Sequence, residues 1–276
     1  MARPPIARSL AVVLIAAASA SDAALAQAPK PEELVAKATA YVHDFVNRFS
    51  NVVAEETYQQ EITVPRRKRV LTSDFLLVRH PNDDMWLGLR DVTAVDGTPV
   101  GDRESRILKL FVEPNPNQVG RAREMASASS RYNLLDIGSL NNPLVAMAFL
   151  QRQYADRFRF TVAGLDKKLG PDVRQVRFVE FRQPTLLKGN GNADVQARGL
   201  YWIEEGTGRV VKTELQLGTS AFPIRIVTTY AFDEELGINV PATMEDWYPE
   251  RDGEFRGKAT YGKFRRFQVQ TSERIK

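Results

Sequence analysis

The sequence predicts an α+β fold in which a strongly curved antiparallel sheet packs on an amino-terminal helix and carries a helical insertion. Three observations predict it. Leu34, Ala38, Tyr41, Phe45, Phe49 and Val52 recur at steps of three or four, the spacing of one helical stripe. Runs rich in β-branched and aromatic residues, several alternating with period two, stand on both sides of a stretch with helical spacing. No alternation of strand and helix appears that would call for a parallel sheet.

The elements follow in order. Arg3 and Arg8 precede an apolar run from Leu10 to Ala20, and Ala24-Leu25-Ala26 supplies a small, larger, small pattern before Gln27. Residues 1–26 therefore read as a signal peptide cut after Ala26, and residues 27–276 as a single exported domain, periplasmic or extracellular. An apolar run this short falls well below the ~20 residues needed to cross a bilayer. The longest later uncharged window, Ile137 to Gln151, is interrupted by Gly138, Asn141, Asn142 and Pro143, so no transmembrane segment is expected in the mature chain. Pro31-Glu32-Glu33 starts the first helix, since Pro tolerates the first helical position and acids there face the positive end of the dipole. Strands are expected over Thr57–Val64, Val70–Arg79 and Met85–Val95, with turns at Pro81–Asp84 and Asp96-Gly97. The insertion, about residues 103–155, comprises Arg103–Val112, Gln118–Arg131 and Leu144–Tyr154, separated by Pro114, Pro116, Gly138 and Pro143. Phe158, Phe160 and Val162 then alternate with charged or polar neighbours, as Val211, Thr213, Leu215 and Leu217 do with Lys212, Glu214 and Gln216. Further strands fit Val173–Arg182, Gly199–Glu204, Ile224–Phe232, Ala242–Tyr248 and Phe255–Val269, and Lys188–Asp194 reads as a loop.

Composition narrows the chemistry. The 276 residues are 43% hydrophobic and 26% charged, which places the chain among folded proteins and away from disordered ones. A formal charge of +4 supports no nucleic-acid partner. The absence of cysteine removes thiolate nucleophiles, disulfides and Cys-type metal sites, leaving His43 and His80 as the imidazoles. His80 with Asp83 and Asp84 reads as a solvated turn, and His43 as a surface residue of the first helix, so no metal and no cofactor is expected. Gly257 to Lys263 has the spacing of a phosphate loop but continues into Phe264 where a Ser or Thr is required, and its aromatic residues suit a strand. Gly88-Leu89 and Val95–Val100 lie too close together for the peptide-binding groove of a PDZ module. With no serine-hydrolase motif either, the chain is expected not to be an enzyme. The acid clusters Glu55-Glu56, Glu204-Glu205 and Asp233-Glu234-Glu235 read as solvated strand ends. Arg66–Arg69 reads as a wet basic loop, and Trp86, Trp202 and Trp247 as core.

Two stretches resemble a known family. Arg198-Gly199-Leu200-Tyr201-Trp202-Ile203-Glu204-Glu205-Gly206-Thr207-Gly208-Arg209-Val210-Val211-Lys212-Thr213-Glu214 is similar to the strand-turn-strand of outer-membrane lipoprotein carriers of the LolA, LolB and RseB type. Ala259–Phe267 resembles the closing strand of related exported proteins, and the two stretches with the order of elements cover about a third of the chain. The resemblance implies an unclosed half-barrel with helices over a hydrophobic cavity. The resemblance does not place the family's ligand-gripping arginine on any one of the arginines here, so the likeness implies the fold more than the task.

Leu144, Val145, Met147, Phe149 and Leu150 are apolar nearly all round, as a buried helix or a cover over a cavity must be. The expected function is that of an exported, non-enzymatic carrier or sensor of a hydrophobic ligand, a lipid or an acyl chain, in a pocket lined by Phe111, Leu144, Met147 and Phe149. The alternative is an exported envelope module that engages a protein partner through a sheet edge or the basic turn and binds no small molecule.

Overall fold

The computed structural model describes residues 29–50, 52–79, 86–101, 118–135, 140–218 and 223–266. Helix α1 runs Pro31–Phe49, with Pro at its start, Glu32 and Glu33 in the first turn and Arg48 paired with Asp44 in the last. Its buried stripe is Leu34, Val35, Ala38, Tyr41, Val42, Phe45, Val46 and Phe49. The Ser50 N–H bonds back to the Val46 carbonyl and closes the helix, so Val52, whose spacing fits the stripe, begins the first strand instead.

Strands β1 (Val52–Ile62), β2 (Arg67–Arg79), β3 (Trp86–Val95) and β4 (Thr98–Pro99) form a meander. After the insertion come β5 (Phe158–Leu165) and β6 (Val173–Glu180), then a two-residue pair, β7 (Leu187–Lys188) with β8 (Asp194–Val195). The chain finishes its sheet with β9 (Arg198–Glu204), β10 (Val210–Gly218), β11 (Pro223–Asp233), β12 (Ile238–Pro249) and β13 (Glu254–Arg266). Eleven strands make one antiparallel sheet in the order β4-β3-β2-β1-β13-β12-β11-β10-β9-β6-β5. The sheet does not close; β4 and β5 are its edges. The two meanders join at its middle, where β1 pairs with β13 in the register Thr57↔Thr260.

Helix α1 covers the inner face. Phe49 meets Phe75 of β2 and Phe264 of β13, while at the other end Lys37 Nζ donates to the Glu205 carbonyl of the β9–β10 turn. Gly208 in that turn has φ +74, and a Cβ there would stand 2.5 Å from the Lys37 backbone, so only glycine lets the turn press so close to the helix.

The insertion divides between the two faces of the sheet. Helix α2 (Gln118–Ser130) packs along β3, its Ala122 meeting Val53, Leu76, Val78 and Leu89. Those four alternate with inner-face residues such as Phe75 and Leu77 and so point outward. Residues 140–157 return to the inner face as a short helix α3 (Val145–Ala148) and a 3-10 turn (Arg152–Arg157). The continuous helix expected over Leu144–Tyr154 is broken because Gln151 is extended, with ψ 147. The expected helix Arg103–Val112 lies outside the described residues, as do Pro81–Asp84 and His80.

Three further expectations are corrected. Val210, not Val211, enters the core, because a bulge between Val210 and Lys212 shifts the alternation. The basic run Arg66–Arg69 is not all loop, since Arg67 onward belongs to β2 and Arg69 Nη1 donates to the Tyr132 carbonyl at 2.6 Å. Of the tryptophans Trp202 is buried as expected, but on the outer face beneath Lys212 with its Nε1 on Asp166; Trp86 is only partly buried against the main core, and Trp247 is half-buried with its Nε1 on Glu254. Among the described residues no helix is long and apolar enough to cross a membrane.

Candidate functional site

Two features of the inner face stand out, one polar and sealed, the other apolar and open. The sealed one begins at Glu56 of β1. Its neighbour Glu55 is half-exposed, but Glu56 is fully buried, which overturns the reading of this acid pair as solvated. Both carboxylate oxygens receive the Arg90 guanidinium of β3, whose Nη2 also donates to the Asn141 carbonyl at 3.0 Å. The guanidinium lies 4.5 Å from the centre of the Tyr58 ring, and the Tyr58 hydroxyl donates to Asp246 Oδ2 of β12 at 2.7 Å. One turn of the pleat away, Gln60 donates to Asn133 Oδ1 and accepts from the Leu134 N–H. The cluster thus ties the insertion to the sheet at three backbone or amide points.

Burial raises Asp246 from the ordinary carboxylate range to about 6, against the opposing pull of the Tyr58 hydroxyl and the Arg90 charge. The folded chain therefore holds a proton on Asp246 that the unfolded chain releases near pH 4. The stability contributed by the neutral acid is complete below about pH 4 and is lost as pH rises through about 6, amounting to roughly 3 kcal/mol. Urea unfolding of the wild type and of Asp246→Asn at pH 4, 5, 6 and 7 checks this. The difference between the two curves should move in favour of the Asn variant as pH rises and level off above pH 6; a constant difference would contradict it.

The open feature is a groove of about 670 Å³ between the first half of α1 and the edge strand β5. Val35, Ala36 and Ala40 form the helix side, and Phe158, Phe160 and Phe181 the sheet side. Glu32, Arg152 and Arg159 are its charged members. The groove follows from the fold: α1 crosses the inner face, touching β2, β12 and β5, and among the described residues β5 has no strand beyond it to fill the gap. Phe181 is 51% exposed, a large apolar ring left against solvent, with the Arg159 guanidinium 5.6 Å from its centre. A smaller cleft continues along the same flank of α1, sharing Thr39 and Arg152 and reaching Asn47, Arg79 and Trp86.

The residues expected to line a pocket lie behind this groove. Leu144, Met147 and Phe149 are buried in the main core, and Phe111 lies outside the described residues. Phe149 stacks on Phe158 at 5.1 Å, and Phe158 is the groove wall, so Phe149 is one ring removed from the open space. Two buried tyrosines hold the short helix in place: Tyr201 donates to the Ala146 carbonyl at 2.8 Å and Tyr230 to the Pro143 carbonyl at 2.7 Å. Burial pushes both hydroxyls well above their ordinary pKa, so they act as permanent donors. Sequence reasoning placed Phe158 and Phe160 on a buried face but missed the groove, which pairs β5 with a helix more than a hundred residues away.

No protein-family model matches the chain, and no curated protein matches it. Solved structures do. A LolA superfamily protein from Nitrosomonas europaea matches over 88% of this chain and 96% of its own, at 10% identity and a TM-score of 0.38. A putative outer membrane lipoprotein-sorting protein domain from Vibrio parahaemolyticus matches over 86% and 95%, at 12% identity and a TM-score of 0.39. A DUF1329 family protein from Desulfovibrio piger matches over 89% and 96%, at 10% identity and a TM-score of 0.41.

Proposed function

We propose that this chain is an exported, non-catalytic carrier or sensor of a hydrophobic ligand, with the apolar tail of that ligand seated in the groove between α1 and β5. The observation that carries the reading is the groove itself. Its volume falls in the range of small-molecule sites, about 300–1,000 Å³, and three phenylalanines form one wall. In this reading residues 1–26 are the signal peptide and residues 27–276 one carrier domain of the periplasm or extracellular space. A long tail extends from Phe158 toward Phe149, Met147 and Leu144.

The test fills the groove without touching the core. Ala36 and Ala40 are exposed positions of α1 that line it. Uptake of a fluorescent fatty-acid probe should be lost, by about tenfold or more, when both are changed to Trp, and circular dichroism should show the fold intact. A wild type that takes up no probe, or a double variant that takes it up unchanged, defeats the proposal. The second reading, a protein-binding envelope module, draws on β5, an eight-residue edge strand without proline whose one strand partner among the described residues is β6. It is favoured if the probe fails and a β-strand peptide competes for that edge.

A further inference from the structure

We propose that the groove selects a single-chain amphiphile with a monoanionic carboxylate head, a fatty-acid anion, and that Arg152 and Arg159 receive the head. The inference rests on the groove reading above and adds the class of ligand to it. Arg152 and Arg159 are exposed, stand at the groove, and make no ion pair among the described residues. Other arginines nearby are already engaged: Arg157 faces Glu180 and Arg182 pairs with Asp156 at 2.8 Å. Arg159 is held at the rim by the Phe181 ring beneath it, which leaves its N–H groups directed to solvent or a ligand. A guanidinium left without an acid beside an apolar wall offers the two parts an amphiphile needs, a planar donor fork for the head and a hydrocarbon surface for the tail.

The rim also holds one acid, Glu32, so its formal balance is one positive charge. That balance matches a monoanion. A dianionic phosphate would meet more repulsion from Glu32 than a monoanion does, and a neutral head would leave both arginines unanswered. The size of the space suits one chain, whose methylenes leave water on binding.

The experiment compares three dodecyl probes, laurate, dodecanol and dodecyl phosphate, by calorimetric titration against the wild type and an Arg152→Ala/Arg159→Ala double variant. Laurate should bind the wild type about tenfold or more tighter than dodecanol, as one charge-assisted hydrogen bond supplies, and tighter than dodecyl phosphate. The double variant should bind laurate as weakly as dodecanol, while its affinity for dodecanol is unchanged. Equal wild-type affinities for laurate and dodecanol overturn the head assignment and leave the groove reading standing. Preference for dodecyl phosphate overturns the choice of carboxylate, and no binding of any probe overturns the groove reading with it. Both substituted positions are solvent-facing, so a folding defect does not confuse the result.

Discussion

Replacing Arg90 by alanine is expected to lower the stability of the folded chain by about 3–5 kcal/mol, measured as the shift in urea unfolding at pH 7. The reason is the group left behind. Glu56 has no solvent exposure, and both of its carboxylate oxygens are answered by that one guanidinium. Without it, the carboxylate must be buried uncompensated or take up a proton. Asn141 loses the donor to its carbonyl as well, which loosens the insertion. The paired change Glu56→Met with Arg90→Leu should cost much less than either single truncation, because it removes both charges together and keeps the volume filled. If Arg90→Ala alone changes stability by less than 1 kcal/mol, the pair is not sealed as described.

Gly257→Ala is expected to be strongly damaging for a single added methyl, with a loss of about 3 kcal/mol or more. Gly257 sits in β13 opposite Gln60 on one side and Asp246 on the other. A Cβ there would stand 1.9 Å from Asp246 Oδ1 and 2.5 Å from the Tyr58 hydroxyl, so the methyl group displaces the hydrogen bond that joins β1 to β12. Neither neighbour has room to retreat, being buried in the core. Thermal unfolding and near-ultraviolet dichroism of the variant give the readout; an unchanged Tm would refute the packing. The glycine of the phosphate-loop-like spacing thus has a steric reason for being glycine.

Much of the architecture is legible in the residues. The stripe from Leu34 to Phe49 is buried along its whole length, and the Asp96-Gly97 and Gly206–Gly208 turns fall between the strands they were expected to join. These are local signals, decided by neighbours within one turn of helix or one hairpin. What escaped is long-range. Glu56 reads as a wet acid until β3 brings Arg90 beside it, 34 positions along the chain. Val53, Leu76 and Val78 belong to unbroken apolar runs, and nothing local says that α2 will cover the outer face while Phe75 and Leu77 serve the inner one. The groove is a gap between α1 and the last strand of the sheet, so its existence depends on where the sheet stops. Of the described residues expected at the site, Phe149 is linked to the groove through Phe158.

The seam between β1 and β13 has a consequence for how the chain matures. Its two partners are separated by about two hundred residues, so the sheet cannot be completed until nearly the whole polypeptide is available. Each meander has an unfinished border until then, and the non-local pairing that joins them favours slow folding. On the export route proposed above, such a delay is an advantage, since a chain that must be threaded unfolded through a pore stays transportable until its last strands are made.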